Sequence, residues 1–280
     1  MSNLASRLLT ALIGGPILIA ALYLLPQLAF FGIAGVAMGI AAWELFSMTH
    51  PDDAFGRTLG TGLSLGLFSV LVFTRYGAQN PAWLVWSFAL LMPAVLLVAL
   101  FRPAEIPSAM SRVGALVMGP MYLAPTMAAL ALIRAHGTPN EGAGLALLTL
   151  LTAWFSDTGG FFFGKYIGGP KLYPAVSPNK TWAGAVGGAL GSVLAAVFAS
   201  MVFLKTLPLG AGVAVALVAG VVGQLGDLAE SVLKRSAGVK DSGALLPGHG
   251  GILDRVDALM LGAVVIFASL RAGILPFAGH

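Results

Sequence analysis

The stretch LPLGAGVAVALVAGVVGQLGDLAESVLKRS, residues 207–236, decides how the whole chain is read. It opens as an apolar run long enough to cross a bilayer, which takes about 20 residues. It closes on Asp227, Glu230, Ser231 and Lys234, spaced i, i+3, i+4 and i+7. A helix continuing past the bilayer would gather these four into one polar stripe. A membrane helix that ends in acids predicts chemistry at one membrane surface.

Similar runs fill the rest of the chain. Of its 280 residues 58% are hydrophobic and only 9% are charged, with a mean hydropathy of +0.92. Soluble domains carry about 25% charged residues, so the bilayer is the expected solvent. The fold class is all-α, a polytopic membrane protein with about nine spans, at roughly 8–26, 28–48, 58–75, 82–101, 113–133, 142–164, 181–204, 207–228 and 257–277. Residues 1–112 supply four of them. Residues 113–280 supply five and form a catalytic half with polar loops at 164–181 and 229–256. Arg7 ahead of the first run mimics a signal peptide, but the run is long and many more follow, so it reads as a first transmembrane helix. The first two runs nearly touch and predict a tight helical hairpin.

Counting Lys and Arg by side orients the chain. With nine spans, eleven fall with the N-terminus and the two polar loops, and four fall opposite. The N-terminus and both loops are therefore expected in the cytoplasm, and the C-terminus outside. The net charge of +4 does not point to nucleic acid, because the basic residues sit between apolar runs and form no tract. The absence of cysteine excludes disulfides, thiolate metal sites and Cys nucleophiles. Glycines spaced three and four apart in WAGAVGGALGSVLAA and GVVGQLGD read as close helix packing.

Acids in membrane segments demand an explanation. Asp227 and Glu230 end one span; Asp254 and Asp257 share a face at the start of another. Taken singly, Asp254 reads as a helix cap and Asp227 as half of a buried ion pair. Together they stand beside Lys234, Arg235, Lys240, Arg255 and His249, after the glycine-rich turn PGHGG with Gly250 and Gly251. Carboxylates without thiols suit a hard ion such as magnesium. Cations and exposed amides suit phosphate. The expected metal ligands are Asp227, Asp254 and Asp257.

A second polar stretch, WFSDTGGFFFGKYIGGPKLYPAVSPNKTWAG at 154–184, offers Asp157, Ser177, Asn179, Lys180 and Thr181 as substrate contacts, with Ser231 from the stripe. Lys165 and Lys171 read as lipid-headgroup contacts. The spacing Gly159-x4-Gly164-Lys165 imitates a P-loop, but Tyr166 stands where a hydroxyl should bind magnesium, so it is rejected. SPNKTWAG reads as a helix start after Pro178. Glu44 in AAWELFSM reads as structural. His50, His136 and His280 read as solvated, and Trp83, Tyr122 and Trp182 as interface anchors.

SVLKRSAGVKDSGALLPGHGGILDRVD, residues 231–257, resembles the signature of the phosphatidate cytidylyltransferases at every position. The likeness is strong over about 152–260. Two departures stand out: Ala183 occupies a position that is often Glu in that family, and Gly160 one that is usually Ala. The resemblance implies that CTP and phosphatidic acid react to CDP-diacylglycerol and pyrophosphate. It implies Mg2+, with a second cation such as K+ beside it. It also implies membrane lipid contact, a homodimer, and a multi-pass protein of a bacterial inner membrane with its site facing the cytoplasm. Asp227 and Asp254 would hold metal with Asp257 close by, and Lys234, Arg235, Lys240, His249 and Arg255 would contact the phosphates. Two rivals remain open. A CTP-dependent polyprenol or phytol kinase would release CDP. An ion-coupled transporter would place its acids near the membrane midplane, whereas here they gather at one surface. The run that marks CDP-alcohol phosphotransferases is absent.

Overall fold

The structure is a computed structural model that describes residues 3–76, 82–102, 106–245 and 250–277, without the side chains of 3–12, 75 and 76. Among the described residues there are nine α-helices: α1 (Asn3–Leu24), α2 (Gln27–Thr49), α3 (Ala54–Tyr76), α4 (Ala82–Phe101), α5 (Ala109–Arg134), α6 (Pro139–Tyr166), α7 (Trp182–Val202), α8 (Leu209–Ser236) and α9 (Leu253–Arg271). Seven of them, α2 to α8, are long and apolar enough to cross a membrane by length and composition. The protein is a helical, polytopic membrane protein. The helix α9 is shorter and more polar because Asp254, Arg255, Asp257 and Arg271 fall within it.

Each expected apolar run falls on one of these helices, and the departures lie at their ends. The helix α8 does run past its apolar part to Ser236, so Asp227, Glu230, Ser231 and Lys234 share one continuous element. Residues 171–181 correct the reading of this stretch as a loop with a helix start after Pro178. They form an antiparallel hairpin, β1 (Lys171–Tyr173) and β2 (Ser177–Thr181). The helix therefore starts at Trp182 and not after Pro178, with the Thr181 side chain accepting from the Gly184 amide as its cap. Across the P-loop imitation, α6 runs unbroken, so no loop exists there to cradle a phosphate.

Lipid supplies no hydrophobic drive between helices, so close approach must come from small residues. A Cβ on Gly187 of α7 would lie 2.6 Å from the Gly159 carbonyl of α6, and one on Gly223 of α8 would lie 2.6 Å from the Ala258 carbonyl of α9. Two apolar clusters fill the bundle, and both draw on α5 and α9. Two histidines read as solvated are buried. His136 Nε2 lies 3.0 Å from the Phe277 carbonyl, and His50 Nδ1 lies 2.9 Å from Thr49 Oγ1. Each packs at a helix end where a polar backbone or hydroxyl partner compensates for lost water. His280 lies outside the described residues. Arg134, also buried, donates from Nε to the Leu22 carbonyl at 2.8 Å and from Nη2 to the Leu25 carbonyl at 3.2 Å. It satisfies carbonyls that the end of α1 leaves open.

Candidate active site

The end of α8 and the start of α9 meet because glycine lets them. A Cβ on Gly226 would lie 3.0 Å from the Asp257 carbonyl. This contact brings Asp227 and Asp257 onto one seam. Asp257 lies within electrostatic reach of Asp227, Glu230 and Asp157 of α6, and Asp157 within reach of Asp227, Lys180 and Arg255. Four carboxylates gathered in one partly buried seam repel strongly unless cations are supplied.

Beside the seam is a cleft of about 530 Å³, walled by α6, the hairpin, the start of α7 and α8. Asp157, Asn179, Lys180, Thr181 and Asp227 line it, as do Ser156 and Gln224. Lys180 Nζ lies 2.6 Å from Asp227 Oδ2, a partly buried pair that lines the cleft. Gln224 donates to the Ala185 carbonyl at 3.2 Å and so fixes the depth of the cleft against α7. Phe161 and Lys165 form its outer rim, with Lys165 Nζ 5.4 Å from the Phe161 ring centroid.

The second part of the site is a buried knot of charges around Lys234. Lys234 Nζ lies 2.6 Å from Asp254 Oδ1 and 3.0 Å from Glu230 Oε1, and all three side chains are buried. Asp254 Oδ2 accepts from the Ser242 amide (2.8 Å), the Ser242 hydroxyl (2.9 Å) and the Gly251 amide (2.9 Å). Gly250 sits at φ +77°, a left-handed conformation that glycine adopts without strain, and a Cβ there would lie 2.7 Å from Asp254 Oδ2. Glu44, from α2, completes this knot. It accepts from the Ser242 hydroxyl at 3.1 Å and from the Ile252 and Leu253 amides at 3.0 and 2.8 Å.

The expected residues therefore fall into groups. Asp157, Asn179, Lys180, Thr181 and Asp227 share the cleft, with Asp257 and Arg255 close to its acids. Lys234, Asp254 and Gly251 form the buried knot, and Gly250 shapes it. Arg235 lies to one side, donating to the carbonyls of Val176 (3.4 Å) and Val239 (3.2 Å), and so ties the hairpin to the loop after α8. Ser177 and Ser231 are partly buried, Lys240 is exposed, and none of the three lines the cleft. His249 lies outside the described residues. Three residues gained importance only in space: Glu44, Ser242 and Tyr122. The Tyr122 hydroxyl is buried within electrostatic reach of Glu230, Asp257 and Asp227.

Among the described residues no three acids or histidines converge into a ready-made metal shell. What the seam offers is a set of hard oxygen donors. Magnesium commonly takes one or two protein carboxylates and completes its shell with substrate phosphates and water, and such a donor set fits it.

The family model described as the cytidylyltransferase family matches residues 5–272. The chain belongs to the cytidylyltransferase family. Among members of this family, a phosphatidate cytidylyltransferase of Brucella suis is 36% identical over 273 residues, covering 95% of this chain and 93% of its own length. One from Pseudomonas aeruginosa is 34% identical over 274 residues, covering 95% of this chain and 96% of its own. One from Staphylococcus epidermidis is 46% identical over 125 residues, covering 45% of this chain and 48% of its own. The cytidylyltransferase match thus includes the N-terminal helices as well as the region 152–260 that carries the motifs, and the protein is a nucleotidyltransferase.

Proposed function

We infer that the protein transfers the cytidylyl group of CTP to phosphatidate, giving CDP-diacylglycerol and pyrophosphate. The observation that carries this reading is the junction of α8 and α9, where Asp227 lines a cleft with Lys180 and Asn179, and Asp257 of the signature lies within electrostatic reach of Asp227. Both substrates are anionic, and a seam of acids flanked by lysine and arginine is built to hold phosphates through cations.

A phosphate oxygen of phosphatidate attacks the α-phosphorus of CTP. The bond from that phosphorus to the oxygen bridging the β-phosphate breaks, and its electron pair leaves on pyrophosphate. The attacking oxygen is already ionised, so no strong general base is needed. Alignment and charge neutralisation supply the rate. Lys180, held at 2.6 Å on Asp227, lines the cleft and meets the triphosphate there. Arg255 balances the acids around Asp157.

Asp227 and Asp257 are the proposed ligands of magnesium, which when bound withdraws charge from the phosphate oxygens. Asp254, with both oxygens accepting hydrogen bonds, supports from behind by fixing Lys234 and the loop that ends in α9. Nine spans, a cytoplasmic N-terminus and cleft, and an outer C-terminus complete the reading. They rest on the excess of Lys and Arg at the cleft end. A bacterial inner membrane and a homodimer follow from the family likeness.

Purified protein with phosphatidate, magnesium and CTP labelled at the α- or γ-phosphate tests the proposal. The α-label should appear in lipid and the γ-label in pyrophosphate. A γ-label in lipid would replace this reading with a lipid kinase, and no transfer of either label would remove phosphatidate as the acceptor.

A further inference from the structure

Glu44 lies on α2, far in sequence from the signature, and its side chain is buried within a candidate membrane span. An unsatisfied carboxylate there would be strongly unfavourable, and among the described residues it is held by neutral donors. Its hydrogen-bond donors are the amides of Ile252 and Leu253 and the hydroxyl of Ser242. The first turn of a helix presents unpaired amides and a partial positive charge, so a carboxylate is well placed there. Here the cap comes from another helix and not from the residue before α9. The preceding loop is wrapped around it. A Cβ on Gly243 would lie 2.6 Å from Glu44 Oε1, and a Cβ on Gly251 would clash with Glu44 Oε2. Gly251, the last residue of PGHGG, thus leaves room for a carboxylate from the opposite half of the chain.

The contacts continue without a break to the catalytic seam. Ser242 donates to Glu44 and Asp254, Gly251 donates to Asp254, and Asp254 holds Lys234. Three residues beyond Asp254 on the same helix is Asp257, facing Asp227 and Glu230. We propose that Glu44 is a positioning residue of the transferase, fixing Ser242, Gly251 and the first turn of α9 so that Asp254, Lys234 and Asp257 stand in register with Asp227. The N-terminal helices thereby take part in the chemistry through α2, beyond anchoring the protein. The assignment rests on the transferase reading given above.

The test compares wild type with Glu44→Gln and Glu44→Ala in the purified full-length chain. It measures kcat, KM for CTP and phosphatidate, and amide hydrogen exchange over 242–257. Glu44→Gln keeps size but turns one acceptor into a donor that faces another donor. It should lower kcat about 10- to 100-fold with both KM values within about threefold, a loss on the scale expected when reacting groups shift slightly. Exchange at Ile252 and Leu253 should quicken in both variants. Should neither variant yield monodisperse protein, Gly251→Ala decides on the same readouts, since it keeps Glu44 but forces the loop off it. An unchanged kcat per folded molecule with protected amides at 252–253 would overturn the proposal. So would a loss confined to KM. Wild-type protein that transfers no cytidylyl group would instead overturn the transferase reading, and the exchange data would still judge the Glu44 contact.

Discussion

Arg134 and Glu44 are two buried charges that each close the open end of a neighbouring helix, at opposite ends of the bundle. Arg134 donates to carbonyls at the finish of α1, and Glu44 accepts from amides at the start of α9. The polarity is right in both cases, since a helix ends negative and begins positive. The neighbourhoods differ. Around Arg134 are apolar residues of one cluster, including Leu22, Leu130 and Ile133. Around Glu44 are Ser242, Gly251 and, one hydrogen bond further, Asp254 and Lys234. The same device is a fastener at one end and part of a reaction centre at the other. What separates the two is which groups share the hydrogen bonds, not how deeply the charge is buried.

The comparison can be broken most forcefully at the reaction centre. Asp227→Asn and Asp254→Asn should each reduce kcat about 10³-fold, the scale of losing a preorganised electrostatic group, while monodisperse protein is still recovered. Near-normal turnover in either would remove that residue from the site. Next in size is the helix seam. Gly223→Val places bulk against the Ala258 carbonyl, where even a Cβ would lie 2.6 Å away. It should part α8 from α9 and lower kcat about 10²-fold, measured in the labelled-CTP assay. Arg134→Met sharpens the contrast from the other end. It should lower stability by about 2–3 kcal/mol, as expected for lost charged hydrogen bonds, and leave kcat per folded molecule within about twofold. A melting curve paired with the assay checks both halves of that statement.

The smallest expected effect comes from two ordinary caps. Thr138 opens α6 in a reciprocal capping box with Glu141, and Thr181 opens α7 at the wall of the cleft. Thr138→Ala and Thr181→Ala should each destabilise by about 1 kcal/mol. Only Thr181→Ala should also raise KM for CTP. Equal kinetics in the two variants would separate the hairpin from substrate binding.

The sequence made the bundle legible because membrane helices announce themselves by length and apolarity, and every expected run lies on a helix. The polar stripe of α8 was legible for the same reason, since i, i+3, i+4 and i+7 spacing has one geometric meaning on a helix. The hairpin was not. Pro178 in SPNKT fits a helix start and an extended strand equally well. What decides between them is pairing of β2 with β1 and the Trp182 amide donating to the Pro170 carbonyl at 3.1 Å. Glu44 was read as structural because nothing within its own helix names its partners, which lie some two hundred positions away at Ser242, Ile252 and Leu253. Tyr122 was read as an interface anchor because aromatic residues near span ends usually are. Its buried hydroxyl lies within electrostatic reach of acids of α8 and α9. His50 and His136 were read as solvated from their positions between spans, and packing buried them. Local pattern gives the elements; the cross-element hydrogen bonds that turn them into a site are set by the tertiary fold.

That Asp227 of α8 and Asp257 of α9 serve one site is the central claim, and a double-mutant cycle tests it most directly. Cytidylyl transfer to phosphatidate would be measured for wild type, Asp227→Asn, Asp257→Asn and the pair together. Residues that act as a unit are strongly non-additive, so the double variant should retain about the residual rate of the weaker single variant. A double variant whose loss equals the product of the two single losses would show the carboxylates acting independently and contradict the account.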